Sequence, residues 1–169
     1  GVLREHFRVL AEGASWMGPT MWRDFGRPAW SAEFIDQHAF TDAALSKPWT
    51  LTRVSPGQEG YLRFRVRNTG ARTWSASGAN PVRLGTTNPN DRSSAFAVSG
   101  WVAKHRPVAV SPSAVPPGAV GTFTFRVRVP AGEGTTRENF RVVAEKASWM
   151  GPTMWRDFGR PAWSAEFID

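Results

Sequence analysis

Three histidines, fourteen carboxylates and nine indoles are the groups in this chain that could do chemistry. A metal or a general base would draw on His6, His38 and His105, but no two of them stand at the spacing of H-x-H or H-E-x-x-H. Glu138 and Glu145 could serve as a carboxylate pair. At strand rise, however, they lie about 20 Å apart and on opposite faces by parity, too far for a glycosidase pair. The stretch TTNPNDRSS (Thr86–Ser94) offers oxygen ligands for a hard cation without matching the EF-hand loop; it also reads as a polar hairpin loop built on Asx turns. Arg63, Arg65 and Arg67, with Arg126 and Arg128, alternate along two short segments. They could bind an acidic glycan or a phosphate, or form a solvated sheet face with cross-strand ion pairs. With no cysteine in the chain, thiolate metal sites, disulfides and cysteine nucleophiles are excluded. No convergent set of titratable groups emerges, so the expectation is a protein that is not an enzyme and needs neither metal nor cofactor.

The net charge of +7 comes from 18 Arg and 3 Lys scattered through the chain rather than clustered. Without a basic stripe or a known reader motif, nucleic acid is not an expected partner. No apolar run approaches the roughly 18 residues of a membrane helix, so membrane insertion is not expected. The sequence opens on Gly1 with neither an initiator Met nor a secretory signal peptide; it is expected to be a mature product or a window of something longer.

The strongest feature of organisation is a duplication. ASWMGPTMWRDFGRPAWSAEFID occupies Ala14–Asp36 and returns as Ala147–Asp169. Shifted by 133 residues, 31 of 36 overlapping positions are identical. The five exceptions are Val2/Thr135, Leu3/Thr136, His6/Asn139, Leu10/Val143 and Gly13/Lys146. A period of that length suits an independently folding domain rather than a solenoid repeat. The expected organisation is therefore a C-terminal segment of a preceding repeat (1–36) followed by one complete repeat (37–169). A fragment of 36 residues cannot bury a core alone, so it should lie against the complete domain or a neighbouring chain.

Within one period the pattern is β. YLRFRVRN (Tyr61–Asn68) sets Leu62, Phe64 and Val66 against the three arginines, and TFTFRVRV (Thr122–Val129) does the same with Phe123, Phe125, Val127 and Val129. Strands are also expected over Trp49–Val54, Val82–Thr86, Val108–Ser111, Glu138–Glu145 and Ala162–Ile168, and only His38–Leu45 has helical character. Thirteen Pro and sixteen Gly supply turns. The expected fold is all-β, an immunoglobulin-like antiparallel sandwich.

In order along the chain stand NTGARTW (Asn68–Trp74), LGT, GWVAKHRPVAV (Gly100–Val110), VPPGAVGTFTF (Val115–Phe125) and ENFRVVAEKASWM (Glu138–Met150). Over about Trp49–Phe167 this set resembles the four-tryptophan immunoglobulin-like domain of a selective-autophagy receptor. It is more similar still to bacterial relatives found on secreted or cell-wall proteins. The resemblance implies that Trp74, Trp101 and Trp149 are signature core residues, joined by Trp163. It carries over no catalytic residue. In that family the segment after SWM is short, whereas here GPTMWRDFGRPAWSAEFID adds Met154, Trp155, Phe158 and Trp163.

These added aromatics admit three uses: extra core, a contact between domains or subunits, or a sugar-stacking platform. The contact is expected, with Met154, Trp155, Phe158 and Trp163 and their copies Met21, Trp22, Phe25 and Trp30 at the junction of successive domains. The functional expectation is a structural repeat of an extracellular or cell-surface fibre or stalk whose partners are copies of itself. The alternatives are a repeated glycan or cell-wall binding module and a phage virion fibre component.

Overall fold

The computed structural model describes residues 3–161, with ten strands. In chain order they are β1 (Leu3–Ala11), β2 (Ser15–Phe25), β3 (Ala32–Phe40), β4 (Glu59–Asn68), β5 (Trp74–Ser75), β6 (Val82–Thr86), β7 (Ala114–Val115), β8 (Val120–Arg128), β9 (Gly134–Ala144) and β10 (Ser148–Arg160). One layer is the antiparallel sheet β3-β4-β8 and the facing layer is β10-β9-β6, with the short pair β5-β7 beside them. The pair β1-β2 forms a sheet of its own.

The alternation in β4 and β8 becomes the core. Leu62, Phe64, Val66, Phe123 and Val127 are buried, and the intervening arginines point outward. The facing sheet supplies Phe140, whose ring meets Phe64 at 5.5 Å and Phe125 at 5.3 Å between centroids. A second aromatic group sits farther along, where Phe158 packs 4.5 Å from Phe96 and 5.9 Å from Trp49. Tilted and edge-on arrangements of this kind suit the quadrupoles of the rings.

On the outer face of β3-β4-β8 the arginine ladders are paired. Arg65 donates from Nε to both Asp36 oxygens at 2.9 and 3.0 Å, Arg67 lies 3.5 Å from Glu33, and Arg126 and Arg128 share Glu59. Arg63 lies over the Phe40 ring at 5.0 Å. Of the two readings of the ladders, cross-strand pairing is the one the geometry matches.

Several expected elements differ. Trp49–Val54 is not a strand but a succession of turns, because Trp49 folds inward and fills the space over Gly60. His38–Phe40 finishes β3, and the helical turn expected beyond it is a tight loop in which the Asp42 carboxylate accepts from the Ser46 and Lys47 amides. Val108–Ser111 makes only isolated bridges, Ala109 to Arg83 and Ser111 to Thr122. Ala162–Ile168 and Trp163 lie outside the described residues. The residues from Ser148 onward form β10, which absorbs Gly151-Pro152-Thr153 as an irregularity between Met150 and Met154. Residues 36 and 37, where the repeat period places its boundary, both sit inside β3.

Of the three signature tryptophans, Trp74 is wholly buried and Trp101 is partly buried, its indole donating to the Arg126 carbonyl at 2.7 Å. Trp149 is not a core residue. It lies half-buried on the outer face of β6-β9-β10, under the Arg106 guanidinium at 5.2 Å. That position requires Gly85, because a Cβ there would stand 2.7 Å from the indole and 2.9 Å from Arg106 Nη1. We therefore expect Gly85→Val to lower stability by about 1–3 kcal/mol through overpacking, read as a fall in Tm on thermal unfolding. Unchanged Tm would mean that the indole can leave its place freely.

Candidate functional site

The duplicated segment is found twice, in two different surroundings. In both, the two strands pair with the same register: Phe7 faces Met21 as Phe140 faces Met154, Val9 faces Met17 as Val142 faces Met150, and His6 faces Trp22 as Asn139 faces Trp155. The irregularity in the second strand falls at the same place. The turn repeats as well, with Gly13 at φ 76° and Lys146 at φ 61° in the left-handed region. Local sequence therefore fixes the hairpin without help from the rest of the domain.

What differs is coverage. In the second copy Phe140, Val142, Met150 and Met154 face β3-β4-β8 and are 0–4% exposed. Their counterparts Phe7, Val9, Met17 and Met21 are 49–51% exposed. Full burial of such a side chain is worth about 1.5–3 kcal/mol, so covering these four would contribute about 3–6 kcal/mol. An isolated two-stranded hairpin is marginal in water. Seven of the ten exposed large apolar side chains among the described residues lie on β1-β2, and its uncovered face is the candidate site.

Among the expected junction residues, Met154 and its copy Met21 are core in one copy and surface in the other. Met154 (4% exposed) and Phe158 (0%) belong to the sandwich interior rather than to a junction. The cause is that β10 continues past the glycine and proline, which puts alternate residues inward. Trp155 stays on the outer face, exposed, with the Arg137 guanidinium 5.2 Å above its ring and Arg137 paired bidentately to Asp157. Met21 and Trp22 are exposed, and Arg4 lies over Trp22 at 4.2 Å. Phe25 closes β2 opposite Leu3, its side chain lying outside the described set. Trp30 packs against the core of the complete sandwich, with Arg72 5.8 Å from its ring.

Three arginines that sequence reasoning passed over, Arg106 and Arg160 buried and Arg92 partly so, hold the second hairpin in place. Arg92 pairs with the buried Glu138, which also accepts from the Ser94 hydroxyl at 3.0 Å. Arg106 is 5% exposed and pairs with Glu145 at 2.7 Å and Asp91 at 2.5 Å. Burial pulls the Arg106 pKa down, but the bonds to Glu145 and Asp91 outweigh it and leave it raised. For Glu145 burial pushes the pKa up, and Arg106 with Arg83 more than reverses this, so it stays below the usual range. Arg160 donates to the Pro130 and Ala131 carbonyls at 2.9 and 2.8 Å. In the first copy Glu5, Glu12 and Arg27, the counterparts of Glu138, Glu145 and Arg160, are all exposed. The Thr86–Ser94 loop is held by these pairs and by Thr87 Oγ1 on Asn90 Oδ1. Among the described residues no three His, Asp or Glu side chains gather as a metal site.

The family model for the Ig-like domain from next to BRCA1 gene matches residues 50–158. The chain belongs to that family. The match begins after β3, which lies outside the matched residues. No curated protein matches the chain.

The two hairpins of the Ig-like chain allow an internal comparison. Phe140→Ala is expected to cost about 3–5 kcal/mol and Phe7→Ala less than about 0.5 kcal/mol in this chain, measured by denaturant unfolding. Equal costs would show that β1-β2 is covered in solution. The depressed pKa of Glu145 contributes stability that is present above its unfolded value near 4.3 and is lost as pH falls through the lower folded value. Glu145→Gln should therefore lower stability at pH 7 and flatten the decline below about pH 4, read from unfolding midpoints across pH.

Proposed function

We propose that this chain is a portion of an array of near-identical Ig-like domains and serves as a structural module of an extracellular or cell-surface fibre, with copies of itself as its partners. The observation that carries this reading is the hairpin found once with its sandwich and once without it, in the same register. The first copy has the register, the turn and the irregularity of the last two strands of a preceding domain. The segment that follows it, Ala32–Asp36, enters β3 of the next domain. The domain boundary then lies near Arg27–Pro28 rather than at the repeat-period boundary between residues 36 and 37. A head-to-tail contact that does not close on itself extends into a filament. An Ig-like sandwich alone is compatible with many roles, so the array and not the fold supports the proposal.

A second reading, a repeated glycan or cell-wall binding module, is favoured by one groove. His38, Trp49, Trp155, Arg156 and Asp157 line a recess of about 480 Å³, with the exposed indole of Trp155 at its rim. Sugar rings stack on indoles, and repetition would add avidity.

Extending the chain upstream tests the array. When residues 29–133 precede Gly1, a whole domain becomes available to the first hairpin. Hydrogen exchange over residues 3–11, which differ in sequence from their copy and can be followed separately, should then slow to the rate of 136–144. Exchange as fast as in the shorter chain would remove the array reading. Quenching of Trp fluorescence by a cell-wall glycan, lost in Trp155→Ala, would move the choice to the second reading.

A further inference from the structure

Where one sequence sits in two surroundings, each surrounding shows which residues it holds. At the end of the second hairpin the upstream domain holds the chain through Arg160. The Gly159 amide donates to the Leu51 carbonyl at 2.8 Å, and the Val54 amide donates to the Gly159 carbonyl at 2.9 Å. The next residue, Arg160, is 6% exposed, with its guanidinium on the carbonyls of Pro130 and Ala131 and on the Thr136 hydroxyl. Pro161 is already exposed.

After the first hairpin the order is reversed. Arg27 is exposed, and the downstream domain takes hold at Pro28. The Ala71 amide donates to the Pro28 carbonyl at 2.9 Å, the Arg72 amide to the Ala29 carbonyl at 3.1 Å, and the Thr69 amide to the Ser31 carbonyl at 3.2 Å. Thr69 also donates its hydroxyl to that of Ser31 at 2.8 Å. Gly70 permits the approach, since a Cβ there would stand 2.7 Å from the Ala29 carbonyl oxygen. The chain from Pro28 onward is therefore fastened to the Asn68–Arg72 loop before β3 begins.

Arg27 and Arg160 are the same residue of the repeat, as are Pro28 and Pro161. Resting on the array reading above, we propose that successive Ig-like domains are joined without a single free residue: the last residue held upstream is bonded directly to the first residue held downstream, and the joint is stiff. The torsions at that bond agree. A residue before proline is confined to extended ψ, the peptide is planar, and proline fixes its own φ near −65°. The one soft position nearby is the preceding glycine. Gly26 takes φ +141° in the first copy, whereas Gly159 lies within β10, held by Leu51 and Val54. An upstream domain removes that freedom. The surface on each side of the joint, Pro130–Gly134 above and Asn68–Arg72 below, is then a contact between identical domains.

The absence of cysteine allows a direct test. In the chain extended by residues 29–133, the exposed Ser99 of both domains is changed to Cys and spin-labelled, and the distance between labels is measured by pulsed electron resonance. A single narrow distribution is expected, and a short Gly-Ser insert between Arg27 and Pro28 should broaden it severalfold. A distribution already broad without the insert overturns the proposal. So does one that stays narrow with it, since stiffness would then come from other contacts. Hydrogen exchange over residues 3–11 separates the two ideas. Protected amides with broad distances remove the stiff joint alone, whereas unprotected amides remove the array itself.

Discussion

A two-stranded sheet has two faces and can cover neither, and the organisation of this protein follows from that constraint. The hairpin pattern is strong enough to set strand pairing, turn and irregularity by itself, as the identical registers of β1-β2 and β9-β10 show. It cannot supply a second layer. Where β3-β4-β8 is present, Phe140 is enclosed between Phe64 and Phe125 and exposure falls to zero. Where it is not, Phe7 stays half in water. Local sequence sets local structure here, and layer packing sets burial and most of the free energy.

The many arginines fall into two groups with different physics. Those on β4 and β8 are exposed pairs with Glu33, Asp36 and Glu59, each worth little alone. Arg92, Arg106 and Arg160 are largely withdrawn from water, and each ties one element to another: the 86–94 loop to β9, the turn before β10 to β6 and its neighbours, and the end of β10 to the loop ahead of β9. The planar fork of guanidinium suits such multiple acceptors, and lysine would not replace it. Arg106 also covers Trp149, so one side chain serves an ion pair and an indole together.

Much of the sandwich was legible in the sequence. The period-2 runs of β4 and β8 carried both their existence and their inward faces, since alternation survives any tertiary context that covers one face, and β6 and most of β9 were legible as strands. The last strand was not legible, because Gly151-Pro152 is ordinary turn chemistry and only the pairing partner β9 shows that it is tolerated as a bulge. Trp49–Val54 misled for the opposite reason: β-prone residues were recruited as a plug, with Trp49 over Gly60. The duplication drew attention to this segment, but parity along β10 had to be known before Met154 and Phe158 could be assigned to the interior and Trp155 to the surface. A repeat period fixes spacing and says nothing about phase, and the boundary it draws between residues 36 and 37 falls inside β3.

The five differences between the two copies all precede the second strand, whose residues 15–25 and 148–158 are identical letter for letter. In the proposed array a folding domain would therefore have no means of telling its own last strand from its neighbour's by sequence. Adjacent domains this alike are prone to exchange strands, and exchange needs slack at a hinge. The proposed joint, an arginine claimed by one domain followed at once by a proline claimed by the next, would offer none. The same bond that sets the geometry of the array would keep each strand at home while the chain folds.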